Sequence, residues 1–214
     1  MAALIHNDGM EPTIPKGSIA VAEYRDLSVD RWTVVGYRSQ MTIDQCAFIA
    51  GRESAHLRQI GAAEVKKFYA EHFAVFGPLR MNRVGRVVGL PNETIMLDQS
   101  GLYINGSHIS PPKELQSIYS NVAEAAFKPY FSAGPITIPD HQVFILQDNL
   151  LSGNDSRSLG TVKLTSVLGR LNDLIPPHEV TAAALRSGTS RVPADVLQDL
   201  EEQHGPISTW VRSN

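Results

Sequence analysis

The 214-residue chain is 43% hydrophobic with a formal net charge of -3, so it holds enough apolar residues for a full core and lacks the basic excess that phosphate backbones select. Direct nucleic-acid binding is therefore not expected. Its single cysteine, Cys46, leaves no internal disulfide framework and reads as a small buried hydrophobe.

Taken in chain order, the elements are mostly strands. Short β-branched and aromatic runs predict strands at Ile19–Tyr24, Trp32–Tyr37, Val84–Val88, Thr94–Leu97, Ile136–Ile138 and Val143–Gln147. Residues 40–78 exceed what a loop needs. Within them Val65, Phe68, Tyr69, Phe73 and Phe76 recur at helical spacing over Ala62–Phe76. This stripe reads either as an amphipathic helix covering the core or as an inserted docking surface. Leu102–Ile109 predicts a hairpin, because Asn105-Gly106 supplies the two positive-φ residues of a type I′ turn. Ile175-Pro176-Pro177 ends the β region. His178–Arg186 and Pro193–His204 then read as helices closed by Gly188 and Gly205, with Val196, Leu197 and Leu200 giving the second a narrow apolar face. The last residues, Trp210 among them, read as a frayed end or a segment ordered in a complex.

No run approaches the roughly 20 apolar residues of a spanning helix, and only eight residues precede Gly9. A soluble chain without a transmembrane segment is expected, membrane-associated at most through partners. Residues 1–8 lack the Arg-rich pattern of a mitochondrial presequence, which leaves import undecided. The seven histidines show no paired metal-ligand spacing, the cysteine has no Cys-x-x-Cys partner, and no phosphate-binding Gly-Lys-Ser/Thr loop is present. No metal or cofactor is expected. His141 in Pro139-Asp140-His141-Gln142 reads as a turn residue.

Three motifs in order carry the functional signal. Gly9-Met10-Glu11-Pro12-Thr13-Ile14-Pro15-Lys16-Gly17 is similar to S-M-x-P-T-x-x-x-G; Arg86-Val87-Val88-Gly89-Leu90-Pro91-Asn92-Glu93 is similar to K-R-V-V-G-L-P-G-D/E, with Gly85 at the lysine. Asp148-Asn149-Leu150-Leu151-Ser152-Gly153-Asn154-Asp155-Ser156-Arg157-Ser158-Leu159-Gly160 resembles G-D-N-x-x-x-S-x-D-S-R-x-x-G, and Val167-Leu168-Gly169-Arg170 the closing I-x-G-R/K. Together, over about residues 6–175, they resemble the type I signal peptidase family. Leu150 after Asp-Asn and the Gly-Arg close are nearest in flavour to its mitochondrial inner membrane protease branch.

The resemblance implies a mainly β fold: antiparallel sheets with a β-rich core, an inserted helical segment and C-terminal helices. It places a β domain at 1–175, with an insertion about 40–78 and a smaller subdomain about 97–135, and a helical extension at 176–214. It also sets Gly9, Gly85 and Gly153 where the family has its nucleophile, its base and the serine that orients the base. A Ser-Lys hydrolase needs a hydroxyl to attack the carbonyl and a neutral amine to take its proton, and glycine supplies neither. No peptidase activity is expected by this mechanism. Asn7 falls at the family's oxyanion-side hydroxyl, where its amide could donate, while a carboxylate at Asp8 would repel an oxyanion; alternatively Asn7-Asp8-Gly9 is an ordinary turn. A relocated dyad of Ser18 with Lys16 is a minor alternative.

Met10 and Pro12 are expected to shape the entry to the first strand, and Asp148, Asn149 and Ser156 complete the third motif. The resemblance further implies one charged cluster in which Asp155 bridges Arg86 and Arg157. The function expected is a catalytically inactive, structural or docking subunit of a larger assembly of protein subunits, with a mitochondrial location. The alternative is a regulatory partner of an active signal peptidase or inner membrane protease that holds an extended peptide in its groove.

Overall fold

The computed structural model describes residues 2–5, 7–23, 29–53, 55–98, 100–119, 135–151 and 154–175. Its strands are β1 (Ala2–Leu4), β2 (Ile19–Glu23), β3 (Val34–Gln40), β4 (Arg80–Gly89), β5 (Thr94–Asp98), β6 (Gly101–Ile104), β7 (Ser107–Ile109), β8 (Ile136–Thr137), β9 (Gln142–Leu146), β10 (Val162–Lys163) and β11 (Val167–Ile175). Helices α1 (Ile43–Glu53), α2 (Ala55–Ile60) and α3 (Ala62–Phe76) fall between β3 and β4, and the short α4 (Gln116–Tyr119) and α5 (Ser156–Leu159) come later. One seven-stranded sheet has the order β1-β2-β11-β3-β4-β9-β10 and a four-stranded sheet the order β7-β6-β5-β8. The protein is mainly β and its strand pairs are antiparallel, as expected.

The second half of β4 and most of β9 lie inside the larger sheet and are buried on both faces, which is why Val87-Val88 and Val143–Leu146 read as apolar runs rather than alternating ones. Val87 and Ile145 face a cluster with Val35, Tyr37, Val143, Val162 and Val167. Val88, Phe144 and Leu146 face the opposite way, against Ile95, Leu97, Leu102, Ile104 and Ile138. The second cluster joins the two sheets, and each of these side chains contributes about 1.5–3 kcal/mol by full burial. A third group, Ile5, Met10, Ile14 and Ala20, anchors the chain that leads into β2.

The hairpin forms as expected, with Asn105 at φ 51° and Gly106 at φ 80° between β6 and β7. Trp32 does not start β3. It sits in a turn at φ 72°, and its N–H donates to Val87 O at 2.7 Å. Three strands escaped the sequence reading: β1, whose Ala-Ala-Leu has little strand preference, the two-residue β10, and β11, which contains Asn172 and Asp173 and slips register between Leu171 and Asp173.

Helix α3 spans the expected residues but divides its stripe. Val65, Tyr69 and Phe73 turn inward onto Met41, Cys46, Ala47, Ala50 and Leu57, a small core of the helical segment itself. Phe68 and Phe76 turn outward and are 62% and 75% exposed. The helix therefore covers its helical neighbours rather than the main β core. Both C-terminal helices expected beyond Pro176, and Gly153, lie outside the described residues.

Candidate functional site

Three segments meet around two buried ion pairs: the turn from Asn7 to Ile14, the second half of β4, and the stretch from Gln147 to Arg157. Arg86, on β4, grips Asp148 with both arms of its guanidinium, Nε to Oδ1 at 2.8 Å and Nη2 to Oδ2 at 2.6 Å. Its third nitrogen donates to Trp32 O at 2.7 Å. Thr13 donates its hydroxyl to the same Asp148 carboxylate, tying the first motif to the third. Asp155 caps α5: it accepts from Arg157 N at 3.0 Å, from Arg157 Nε at 2.8 Å and from Gln147 N at 3.0 Å. Arg157 also donates to Leu150 O at 2.6 Å. Both aspartates are almost fully enclosed, at 2% and 0% exposure.

This corrects the expectation of one carboxylate bridging two arginines. There are two pairs, Arg86–Asp148 at 2.6 Å and Arg157–Asp155 at 2.7 Å. As the cap of a single helical turn, Asp155 has its oxygens engaged by Arg157 and by the Gln147 main-chain N–H, so Arg86 takes Asp148 after β9. Paired, bidentate and fully bonded, such groups fix relative positions more than they add net stability. Ser156 supports the same frame by accepting from Ile145 N at 2.9 Å, and Asn149 donates through its main chain to Gly9 O at 2.9 Å and through its side chain to Asp8 O at 3.2 Å.

Gly9, which the motif resemblance matches to the nucleophile, is buried and used on every side. Its N–H donates to Asn7 Oδ1 at 3.1 Å, so Asn7 closes an Asx-type turn with its oxygen toward position 9 instead of presenting an amide to an oxyanion. The N–H of a nucleophile is an ordinary oxyanion donor in serine hydrolases, and here it is already engaged. A Cβ placed on Gly9 would meet Gln147 Nε2 at 2.3 Å and Cδ at 2.6 Å. Asp8 is exposed, Met10 is buried with Ile14, and Pro12 is exposed after a cis peptide bond with Glu11.

Gly85, matched to the base, is also overlain. A Cβ there would meet Ile145 Cγ2 at 2.5 Å, Leu146 O at 3.1 Å and Tyr37 Cε1 at 3.4 Å. Tyr37 is buried, its hydroxyl has no hydrogen-bond partner among the described residues, and burial pushes it well above the ordinary phenol range, with Arg83 opposing the shift. Tyr119 is buried as well, edge-on to Trp32 at 5.4 Å, and burial likewise raises its phenol. Arg83 reaches past Tyr37 to donate to Ser39 Oγ at 2.9 Å and to Asn154 O at 3.3 Å.

Ser18 and Lys16 do not form a pair. Ser18 is fully buried with its hydroxyl unpartnered among the described residues, while Lys16 is exposed. His141 lies in the turn before β9 at φ 57° beside Asp140. Among the described residues no group of His, Cys, Asp or Glu is arranged to hold a metal, and no helix is long and apolar enough to cross a membrane.

The sequence reading missed Gln147, Thr13, Ile145 and Tyr37. Gln147 had a signal: it occupies the first position of the G-D-N pattern, where a bulky residue replaces a glycine. Ile145 and Tyr37 had none, since they reach Gly85 only through sheet pairing.

An antiparallel β scaffold that gathers these three motifs around two buried ion pairs defines the frame of a peptidase fold. Residues 1–174 match the family described as signal peptidase, peptidase S26, and the chain belongs to that family. It is 30% identical over 100 residues to signal peptidase I V of Bacillus subtilis (strain 168), a match covering 45% of this chain and 60% of that protein. It is 31% identical over 93 residues to signal peptidase I of Bacillus caldolyticus, covering 42% and 50% respectively. Against a probable signal peptidase I-2 of Synechocystis the identity is 32% over 87 residues, covering 41% and 35%. The matches thus span about half the length of these relatives or somewhat more or less. The crystal structure of a signal peptidase I from Enterococcus faecalis V583 aligns with TM-score 0.39 and 23% identity, over 67% of this chain and 96% of that one.

Proposed function

We propose that this chain is a catalytically inactive member of the signal peptidase family that serves as a structural or docking subunit of a larger protein assembly. One observation carries the reading. At both positions matched to the catalytic dyad there is a glycine whose side-chain space is filled by the chain's own atoms, Gln147 at Gly9 and Ile145 at Gly85. Nucleophile and base must stand within hydrogen-bond reach of each other, and neither position can supply its group. The ion pairs meanwhile remain complete, which fits a protein kept for its shape. The relatives named above carry the name signal peptidase, so inactivity is a departure within the family.

The division into a β domain at 1–175 and an extension at 176–214 belongs to this proposal, as does a mitochondrial setting, which rests on the third motif alone. Attachment through the outward face of α3 is supported by its exposed Phe68 and Phe76. A peptide-holding regulatory role needs open space beside Gly9, and Gln147 weighs against it. The role is tested by the native size of the protein in extract. Elution with a large complex, with defined partners recovered on purification, is the expected result; a free monomer with no stable partner overturns the subunit role.

A further inference from the structure

We propose that Gly9 and Gln147 form a coupled pair in which the Gln147 carboxamide takes the volume of a side chain at position 9 and keeps the backbone of an extended peptide out of the space beside Gly9. This rests on the inactive reading and deepens it, by naming what fills the site and what it keeps out.

The Gln147 amide is 2.3–2.7 Å from the point where a Cβ on Gly9 would lie, so the two side chains cannot coexist in place. Its position is held at both ends. The main-chain N–H donates to Asp155 Oδ2 at 3.0 Å, and Oε1 accepts from Asn154 N at 3.3 Å. Asp155 is itself locked by Arg157, and the Asn154 carbonyl by Arg83 at 3.3 Å. Gln147 is 5% exposed, which leaves its amide no room to swing freely into solvent. Gly9 completes the closure: Asn7 engages its N–H and Asn149 its carbonyl, so the main-chain groups that an extended peptide would bond here are already taken. The bulk missing at position 9 has reappeared at position 147, and glutamine brings its own hydrogen bonds with it.

Gly85 behaves differently. Its neighbour Ile145 is β-branched, fully buried and fixed in the middle of β9, and Leu146 O is main chain. There is no single flexible end whose removal would make room. Coupling by one side chain is therefore specific to Gly9 and Gln147.

The test is a double-mutant cycle of the unmodified protein, Gly9→Ser, Gln147→Gly and the double variant, read by thermal unfolding. Gly9→Ser is expected to lower the melting temperature by about 4 °C when Gln147 is present, and to have no such effect in the Gln147→Gly background. Gly9→Ala and Gln147→Ala serve as the milder pair if either variant fails to fold. In parallel, a fluorescein-labelled extended octapeptide rich in small residues, the class found at signal-sequence cleavage sites, is expected to bind Gln147→Gly at least tenfold tighter than the unmodified protein. An equal Gly9→Ser penalty in both backgrounds overturns the coupling, and equal peptide affinity, or none for either, overturns the exclusion. Neither outcome touches the inactive reading, which falls only if the unmodified protein cleaves substrate.

Discussion

Asp148 and Asp155 each sit in a closed, bidentate ion pair inside the protein, while Gly9 and Gly85, close by in the fold, carry no side chain and are covered by neighbours. Both regions come from the same three motifs. The charged region is complete to the last hydrogen bond: Arg86 reaches Trp32 O, Arg157 reaches Leu150 O, and Thr13 and Gln147 N engage the aspartates. The other region carries glycine at the two positions that the motif resemblance matches to nucleophile and base, and neighbouring atoms of the chain lie where a side chain would stand. On the inactive reading proposed above, frame and chemistry are separable, because ion pairs orient segments whether or not a nucleophile follows.

The comparison breaks most forcefully at Asp155. Asp155→Ala leaves the buried Arg157 guanidinium without its carboxylate and Gln147 N without an acceptor, and is expected to destabilise by about 3–5 kcal/mol. Urea unfolding checks this as a lower midpoint at unchanged slope. A loss under about 1 kcal/mol would mean the pairs are surface-like ornaments of the fold.

Gly85→Lys sharpens the other side of the comparison. The new chain would overlap Ile145 Cγ2, 2.5 Å from its Cβ, and would bring an ammonium toward buried Tyr37, whose neighbouring carboxylate Asp155 is already paired with Arg157. Overpacking and desolvation together are expected to cost about 3 kcal/mol, read in the same unfolding assay. Stability equal to the unmodified protein would show that the space beside Gly85 is open.

Tyr37→Phe is expected to act least. It removes a buried hydroxyl that has no partner among the described residues, so stability near neutral pH should be unchanged or higher by less than about 1 kcal/mol. Its effect grows with pH. Burial raises the phenol in the folded state above its unfolded value of about 10, so its contribution is fully present below pH 10 and is lost as pH rises beyond it. The variant should therefore show a flatter alkaline limb in unfolding midpoint against pH; an identical limb would mean Tyr37 ionises freely.

Much of the scaffold was legible in the sequence because its signals are local. The Asn105-Gly106 turn, the β-branched runs of β4 and β9 and the spacing of α3 depend on neighbours a few residues apart. Strands β1 and β11 were not legible, since the larger sheet pairs Ala2–Leu4 with β2 and Val167–Ile175 with both β2 and β3 across long stretches of chain. At the site, the expected bridge joined Asp155 to both Arg86 and Arg157 and gave Asp148 no ion-pair partner, whereas Arg86 pairs with Asp148, because pairing depends on which carboxylate a short helix consumes as its cap. The glycines were visible as absences. What fills them was legible only as the departure at Gln147 from the G-D-N pattern, because Ile145 and Tyr37 reach Gly85 through the pairing of the sheet and Gln147 reaches Gly9 across a long stretch of chain.

The central claim is tested most directly by incubating the unmodified protein with a precursor carrying a signal sequence and following cleavage by mass. Inactivity predicts no product above a protein-free blank, since neither Gly9 nor Gly85 supplies a reacting group and Ser18 is enclosed without Lys16 beside it. Cleavage after the signal sequence that co-elutes with the protein through successive columns would contradict the account.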